Sequence, residues 1–392
     1  MRLCWSAFMF FTLLVALAAS CESGGGGTQK YSFDFKDYKV TKGNDKVVFN
    51  ASELFRNIVT INLTRETAEK VGNVSSFMLD ASQNVILVDK IFSIISSVSM
   101  EGDIIWQLTA DPTDFRVFND VRAVYYNYFD NTLIVQSIEK IYTYNQEGKF
   151  VDVEPKPVFN FNRMAFVAPD EVVYSCQGRL NTHVLDRSKQ LIWTVKGQVE
   201  NSFITSLPYA PEHLLIGGVQ EFSLLNESLY YHAPFRDTIY SVNLPEVRPE
   251  FSIKFEGTIR SEEVMKKESI RNKLKYMREE SVPQLMSLAA DSLRLAFRYK
   301  VGHKDYFGLI DRKSNEMVVN HRYLKYNQLT IEPPQMYHDG HFLRIVPDYQ
   351  VKHFAKIDPD ATEVSKEWLE ELKGLDEAYN DVGPKTLYLI KL

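Results

Sequence analysis

Apolar and polar positions alternate in short runs along nearly the whole chain, and clusters of turn-forming residues separate the runs. Val74–Leu79, Val85–Val88, Ser93–Val98 and Ile104–Leu108 read as four strands, with Ser82-Gln83-Asn84 and Glu101-Gly102-Asp103 as turns. A second group runs Val121–Tyr128, Thr132–Val135, Lys140–Tyr144 and Phe150–Val153. A third runs Met164–Val167, Val172–Cys176, His183–Leu185 and Leu191–Val195. The second strands of these groups resemble one another: Asn84-Val85-Ile86-Leu87-Val88 stands 47 residues before Asn131-Thr132-Leu133-Ile134-Val135, which stands 40 before Glu171-Val172-Val173-Tyr174-Ser175. Val184-Leu185-Asp186-Arg187 returns as Leu309-Ile310-Asp311-Arg312, 125 residues on. That is about three periods of ~42, and a period of about 40–45 residues belongs to four-stranded propeller blades. A β-sandwich would not regroup its strands in fours at this spacing.

The middle is less regular. Phe203–Leu207 and Leu214–Ile216 read as two strands of a blade or as an inserted hairpin, and Ser228–His232, Thr238–Val242 and Phe251–Phe255 as a clearer set. Ile259–Glu280 carries apolar residues at helical spacing among mixed charges, which predicts an inserted amphipathic helix covering the rim. A membrane- or partner-binding helix is the sharper alternative. Strands resume at Leu293–Tyr299, Tyr306–Ile310, Met317–His321, Gln335–His338, His341–Val346 and Val351–Ile357. Glu363–Ala378 predicts a C-terminal helix, and Thr386–Leu392 a last strand. Lys46–Phe49 and Ile58–Leu63 are available to pair with Leu387–Ile390 and so close the ring. The expectation is an all-β chain, a single propeller domain over residues 31–392. It has six blades if residues 203–256 make one blade, and seven if they make two.

The first thirty residues carry a different signal. Arg2 precedes an apolar run from Phe8 to Ala19, too short to span a bilayer but suited to a secretory signal over residues 1–20. Leu17-Ala18-Ala19-Ser20-Cys21 resembles a bacterial lipobox, with Cys21 as the lipidated first residue of the mature chain. Residues 21–30, rich in glycine, then form a flexible tether. Cys4 lies in the signal and Cys21 at the lipid site, so Cys176 is left without a disulfide partner in the body and reads as a buried strand residue. A catalytic nucleophile is the sharper alternative for it.

Charge narrows the partners. The chain has a formal charge of -6 and no basic block, so nucleic acid is not an expected partner. Phe and Tyr number 25 and 21 against 18 glycines, a weighting that suits strands packed face to face.

Ala233-Pro234-Phe235-Arg236-Asp237-Thr238-Ile239-Tyr240-Ser241-Val242, followed by Pro249-Glu250-Phe251-Ser252-Ile253-Lys254-Phe255, resembles a blade of the six-bladed β-propeller lipoproteins of Gram-negative bacteria, distant relatives of NHL-repeat propellers. The resemblance covers roughly residues 45–392 and includes Glu53-Leu54-Phe55, Ile61-Asn62-Leu63 and the two Glu-Gly turns. It implies six blades. Ala110-Asp111-Pro112-Thr113-Asp114-Phe115 departs from the Gly-Pro-Gly-Glu-like loop of many members, so no role of that loop carries over. The resemblance brings no catalytic residues.

No Gly-x-Ser-x-Gly elbow, His-Glu-x-x-His helix, phosphate-binding glycine loop or EF-hand loop is present. His338-Asp339-Gly340-His341 has a metal-like spacing but reads better as a two-residue hairpin turn. Asp186 and Asp311 read as turn caps at equivalent blade positions, with Arg187 and Arg312 as rim charges. No metal or cofactor is expected. A propeller ligand site lies at the mouth of its axis, for which Lys90, Glu139, Arg163, Arg179, Glu221, Lys300 and Tyr349 are the candidate loop residues. The expected function is that of a lipid-anchored envelope module, on the outer membrane and facing the periplasm. It binds a glycan, peptide or protein partner without catalysis. The alternatives are a hydrolase or lyase acting on a glycan or lactone at the mouth, and a structural subunit of an envelope complex.

Overall fold

The computed structural model describes residues 36–41, 43–50, 57–176, 181, 189–205, 220–225, 228–233, 236–256, 282–290, 293–302, 304–326, 329–331, 336–338, 341–346 and 386–391. Three strands come first: β1 (Lys36–Val40), β2 (Asn44–Asn50) and β3 (Asn57–Asn62). The helix α1 (Arg65–Lys70) follows, capped where the Thr64 hydroxyl accepts the Thr67 N–H at 3.3 Å. It is the one helix among the described residues, none of which forms a helix long and apolar enough to cross a membrane.

Five blades are then laid down from consecutive sequence, each an antiparallel meander of four strands. The first holds β4 (Ser76–Leu79), β5 (Val85–Asp89), β6 (Ile94–Val98) and β7 (Ile104–Thr109). The second holds β8 (Ala123–Asn127), β9 (Thr132–Gln136), β10 (Lys140–Tyr144) and β11 (Phe150–Pro155). The third holds β12 (Arg163–Ala168), β13 (Glu171–Ser175), β14 (Lys189–Val195) and β15 (Gln198–Thr205). The fourth holds β16 (Phe222–Leu225), β17 (Ser228–His232), β18 (Thr238–Asn243) and β19 (Glu246–Phe255). The fifth holds β20 (Pro283–Ala290), β21 (Arg294–Val301), β22 (Lys304–Asp311) and β23 (Met317–Tyr326), with β24 (Leu329–Ile331) beside β23. A further sheet is composite. It joins β25 (Met336–His338), β26 (His341–Val346) and β27 (Thr386–Lys391) to β3 from the start of the chain.

Turn chemistry sets the meanders. In the β4–β5 turn the Asp80 carboxylate accepts the N–H groups of Ser82 and Asn84, both at 2.8 Å, while Gln83 takes φ +66°. Asp311 does the same between β22 and β23, accepting from Lys313 and Ser314 at 2.8 Å.

The core lies between neighbouring sheets. Val88 and Ile95 of the first blade meet Leu133, Val135 and Tyr142 of the second. Ile134 meets Met164, Tyr174 and Ile192, and Val173 and Leu191 meet Leu229, Tyr231 and Val242. Ile239, Phe251 and Ile253 meet Leu288, Phe297 and Phe307. Ile61 of β3 and the adjacent Leu63 meet Phe77, Leu79 and Val85, which brings the chain's first part back against the first blade. Sheets facing one another through apolar layers in this sequence make an all-β propeller.

The N-terminal strands lie where the sequence did not put them. β2 pairs in parallel with β23 on the outer edge of the fifth blade, rather than with the C-terminal strand, and only β3 pairs with β27. β1 runs parallel to β19 on the outer edge of the fourth blade and sinks Tyr38 and Val40 into the layer between the fourth and fifth blades. Edge strands expose unpaired backbone groups, and β1 and β2 cover two of them.

Other expectations change as well. Contiguous sequence builds five blades rather than six. Leu191–Val195 is a third strand, not a fourth, and Phe203 belongs to its partner β15. The turn between them is Lys196-Gly197, both at positive φ, a hairpin turn that the residue types advertise poorly. Asp311 ends the third strand of its blade and caps the turn after it, whereas residues 186 and 187 lie outside the described residues. β20 was missed because its residues are buried almost throughout and so lack alternation. His338 pairs with His341 across the β25–β26 hairpin. The expected helices at 259–280 and 363–378, and the strands at 183–185, 214–216 and 351–357, lie outside the described residues.

Gly102, in the β6–β7 turn, has φ +92°, and a Cβ there would stand 1.9 Å from the Asn62 carbonyl oxygen. Its own carbonyl accepts the Thr64 N–H at 3.2 Å. Gly102→Ala should therefore destabilise the protein by about 2–3 kcal/mol through strain at the β3 junction, read as a lower urea midpoint at unchanged slope. An unchanged midpoint would show that the junction is looser than described.

Candidate functional site

The first strands of the sheets face one another: β8 lies beside β12, β12 beside β16, β16 beside β20 and β25, and β25 beside β4. They form the inner wall of the propeller. The starts of β4, β8, β12 and β16 therefore gather at one end of that wall, although the chain separates them widely.

Lys90 is delivered by a pinned loop. Asp89, fully buried at the end of β5, accepts the N–H groups of Asn73 at 2.7 Å, Ile91 at 2.8 Å and Phe92 at 3.0 Å. The Lys90 N–H donates to Ser75 Oγ at 3.1 Å, beside the start of β4. Gly72 makes room for this carboxylate, since a Cβ there would lie 2.3 Å from Asp89 Oδ2. Burial, and then the positive charge of Arg163, hold the Lys90 ammonium down to about 8.

Arg163 opens β12, opposite Ser175 in the register. It stands as cation and donor against the hydroxyl of Tyr125 on β8, and that hydroxyl donates to Gln136 Oε1 at 3.2 Å. Burial pushes the Tyr125 phenol up to about 12, with Arg163 opposing and Glu221 adding to the rise. Among the described residues, neither Lys90 nor Arg163 has a carboxylate within ion-pair distance.

Glu221 lies just before β16 and is 1% exposed. Its carboxylate accepts from Asn162 Nδ2 at 2.5 Å and from the Ser175 hydroxyl, and Ser175 Oγ is 3.3 Å from Tyr231 Oη. The group ties the third and fourth blades together at the same end of the ring. Burial, with the Glu221 charge second, raises the Tyr231 phenol well above its ordinary value. His232 is buried with Nδ1 lacking a partner among the described residues, and burial pushes its imidazole down to about 4.

Of the residues named from sequence, the structure thus brings together Lys90 and Arg163, and sets Glu221 beside them through Asn162 and Ser175. Glu139 is exposed on the β9–β10 turn, the place in the second blade that Lys90 holds in the first, and its carbonyl accepts the Lys156 N–H at 3.0 Å. Lys300 faces Gln284 in the register near the start of β20, half-buried. Arg179, Tyr349 and Cys21 lie outside the described residues. Cys176 is fully buried directly after β13, as a strand residue would be. Sequence reasoning missed Tyr125, Asn162, Ser175 and Tyr231. For Tyr125, Ser175 and Tyr231 the signal was polar atoms inside otherwise apolar strand runs, such as Ser175 after Val172-Val173-Tyr174; Asn162 lies in the loop before β12. Around this end stand exposed apolar side chains: Ile91 (68% exposed), Phe92 (65%), Ile138 (56%) and Val158 (82%). Among the described residues, no group of three or more His, Cys, Asp or Glu is placed to hold a metal ion.

The family model described as "Domain of unknown function (DUF4934)" matches residues 44–382. The chain belongs to the DUF4934 family. No curated protein matches it. Among solved structures, this DUF4934 chain superposes on a Bacteroides fragilis NCTC 9343 protein described as exported, with TM-score 0.70 and 15% identity over 91% of this chain and 99% of the other. It also superposes on a DUF4221 family member from Bacteroides vulgatus, with TM-score 0.51 and 11% identity over 86% and 96% of the two chains. At such identities the likeness is one of fold.

The Glu221 cluster has a direct consequence for stability. Ser175→Ala removes one of the two donors described for a buried carboxylate and should cost about 1–3 kcal/mol, measured by urea denaturation. A loss within experimental error would show that Glu221 draws its stabilisation elsewhere.

Proposed function

We propose that this DUF4934 protein is an exported binding module that presents the Lys90 end of its propeller to a glycan, peptide or protein partner of the cell envelope, and that it does not transform what it binds. The observation that carries the reading is the set of groups at the inner strand starts. A lysine, an arginine and a protonated tyrosine are held at fixed places, and exposed apolar side chains ring them. Such groups orient and hold a ligand. The composite sheet serves in this reading as the blade that closes the ring, which makes six.

Export is supported by the description of the Bacteroides fragilis neighbour and by the secretory pattern of residues 1–20. With Cys21 as a lipidated first residue, the propeller would be tethered to the membrane by residues 21–30, on the periplasmic face of the outer membrane. Mass analysis of the mature N-terminus should find a diacylglyceryl-modified Cys21. A chain retaining residue 1, or an unmodified Cys21, would remove the anchor from the account.

One observation favours the alternative, a propeller hydrolase or lyase acting on a glycan or lactone. Lys90, held to about 8, is an amine closer to its neutral, nucleophilic form than an ordinary lysine. The two readings separate in one experiment. The full mature protein is incubated with soluble glycan and peptide fragments from an envelope digest, and the free and co-eluting fractions are weighed by mass spectrometry. Binding without catalysis predicts a fragment that co-elutes and is recovered at unchanged mass. New masses that accumulate with turnover would establish the enzyme instead, and the absence of any co-eluting fragment would overturn the binding reading.

A further inference from the structure

We propose that Lys90, Arg163 and the Tyr125 hydroxyl form a receptor for one oxyanion, the carboxylate, phosphate or sulfate group of the ligand; this rests on the binding reading above. Three consecutive blades each contribute one group: Lys90 after β5, Tyr125 from β8 and Arg163 at the start of β12. They meet only because the blades pack against one another.

The electrostatics are those of a site awaiting a negative charge. Folding brings two cations together in half-buried positions, close enough for Arg163 to disfavour the charged form of Lys90. Like charges so placed oppose the folded state, and neither finds a carboxylate among the described residues to offset the other. The buried carboxylate nearby, Glu221, is committed to Asn162 and Ser175. An anion between the cations turns a repulsive pair into two charge-assisted contacts.

The donor set matches an oxyanion in the kinds of donor as well as in sign. A guanidinium offers a planar fork to two oxygens, and an ammonium is a point charge with three rotatable donors. Tyr125, whose hydroxyl keeps its proton up to about 12, adds a neutral donor once Gln136 yields it. The loop bearing Lys90 is fixed by three N–H bonds to Asp89, so the cation is positioned before any ligand arrives. Ile91 and Phe92 follow Lys90 in that loop and are exposed, which suits an acid group carried on an apolar or peptide-like body.

The test uses the full mature protein with its lysines 13C-dimethylated, and follows the Lys90 resonance by NMR during pH titrations. Sodium phosphate, sodium sulfate and sodium acetate are the probes, added in separate series against sodium chloride at equal ionic strength. Lys90→Gln assigns the resonance, and thermal melting confirms that each variant is folded. Saturable binding of at least one probe should move the Lys90 midpoint upward from about 8, because a bound anion favours the ammonium form. The probe that binds tightest names the acid group: acetate for a carboxylate ligand, phosphate or sulfate for an esterified one. Arg163→Gln should weaken that binding at least tenfold, Arg163→Lys should restore part of it, and Glu147→Gln, in the β10–β11 turn at the opposite end of its blade, should leave it unchanged. No saturable shift with any probe, or a shift that Arg163→Gln leaves intact, overturns the proposal. An envelope fragment that still co-elutes with folded Arg163→Gln as it does with the native protein would sink the oxyanion receptor while leaving the binding reading standing.

Discussion

Ring closure is the constraint on which the rest of the structure depends. β3 pairs with β27 along its whole length, from Asn57 opposite Lys391 to Asn62 opposite Thr386, and so joins segments at the two ends of the described chain. Local turns can form every blade, but no local turn can make this contact. Its loop-closure cost grows only slowly with the length enclosed, so a modest apolar gain offsets it. That gain is visible in Ile61 and Leu63, buried against Phe77, Leu79 and Val85 of the first blade. Contacts of such long range form late and at high entropic cost, which makes the junction the natural place for the ring to open first.

The candidate site inherits this dependence. Lys90, Tyr125 and Arg163 belong to three blades, and Glu221 to a fourth. Each is placed by something local: Asp89 for the Lys90 loop, the β8–β9 pairing for Tyr125, the β12–β13 pairing for Arg163. Their mutual approach is set by the apolar layers between blades, above all the one containing Ile134, Met164 and Tyr174. Side chains that make the frame are apolar and face the neighbouring sheet. Those that make the site are polar and cluster where the inner strands begin.

Legibility in the sequence follows the same division. The first two blades could be read strand by strand because their apolar runs are short and their turns carry Asp, Asn and Gly; β5 is buried throughout, yet Asn84 and Asp89 mark its ends. Asn84-Val85 and Asn131-Thr132 open second strands at matching points of neighbouring blades. β20 was illegible because Leu285, Met286, Leu288 and Ala289 are all buried, so the two-residue period vanishes, and, unlike β5, it has no Asn, Asp or Gly to mark its start. β1 and β2 were hidden for another reason: their parallel pairing with β19 and β23 is a tertiary event that leaves no turn in the sequence. Of the repeated Asp-Arg pairs, the one at Asp311 caps a turn after a third strand, as a turn residue should. Lys90, Arg163 and Glu221 were recognisable as candidates by charge and loop position. Tyr125 and Ser175 were not, because a polar atom in a strand reads as surface until its partner is known, and Asn162, in the loop before β12, reads as surface for the same reason.

Two cations held without a carboxylate between them are the central claim about this molecule's chemistry. A crystal structure of the full mature protein grown in phosphate tests it most directly. Electron density is expected for an oxyanion contacting both Lys90 Nζ and the Arg163 guanidinium, with Tyr125 within reach. A carboxylate of the protein's own chain filling that position, or the two cations turned away from each other, would contradict it.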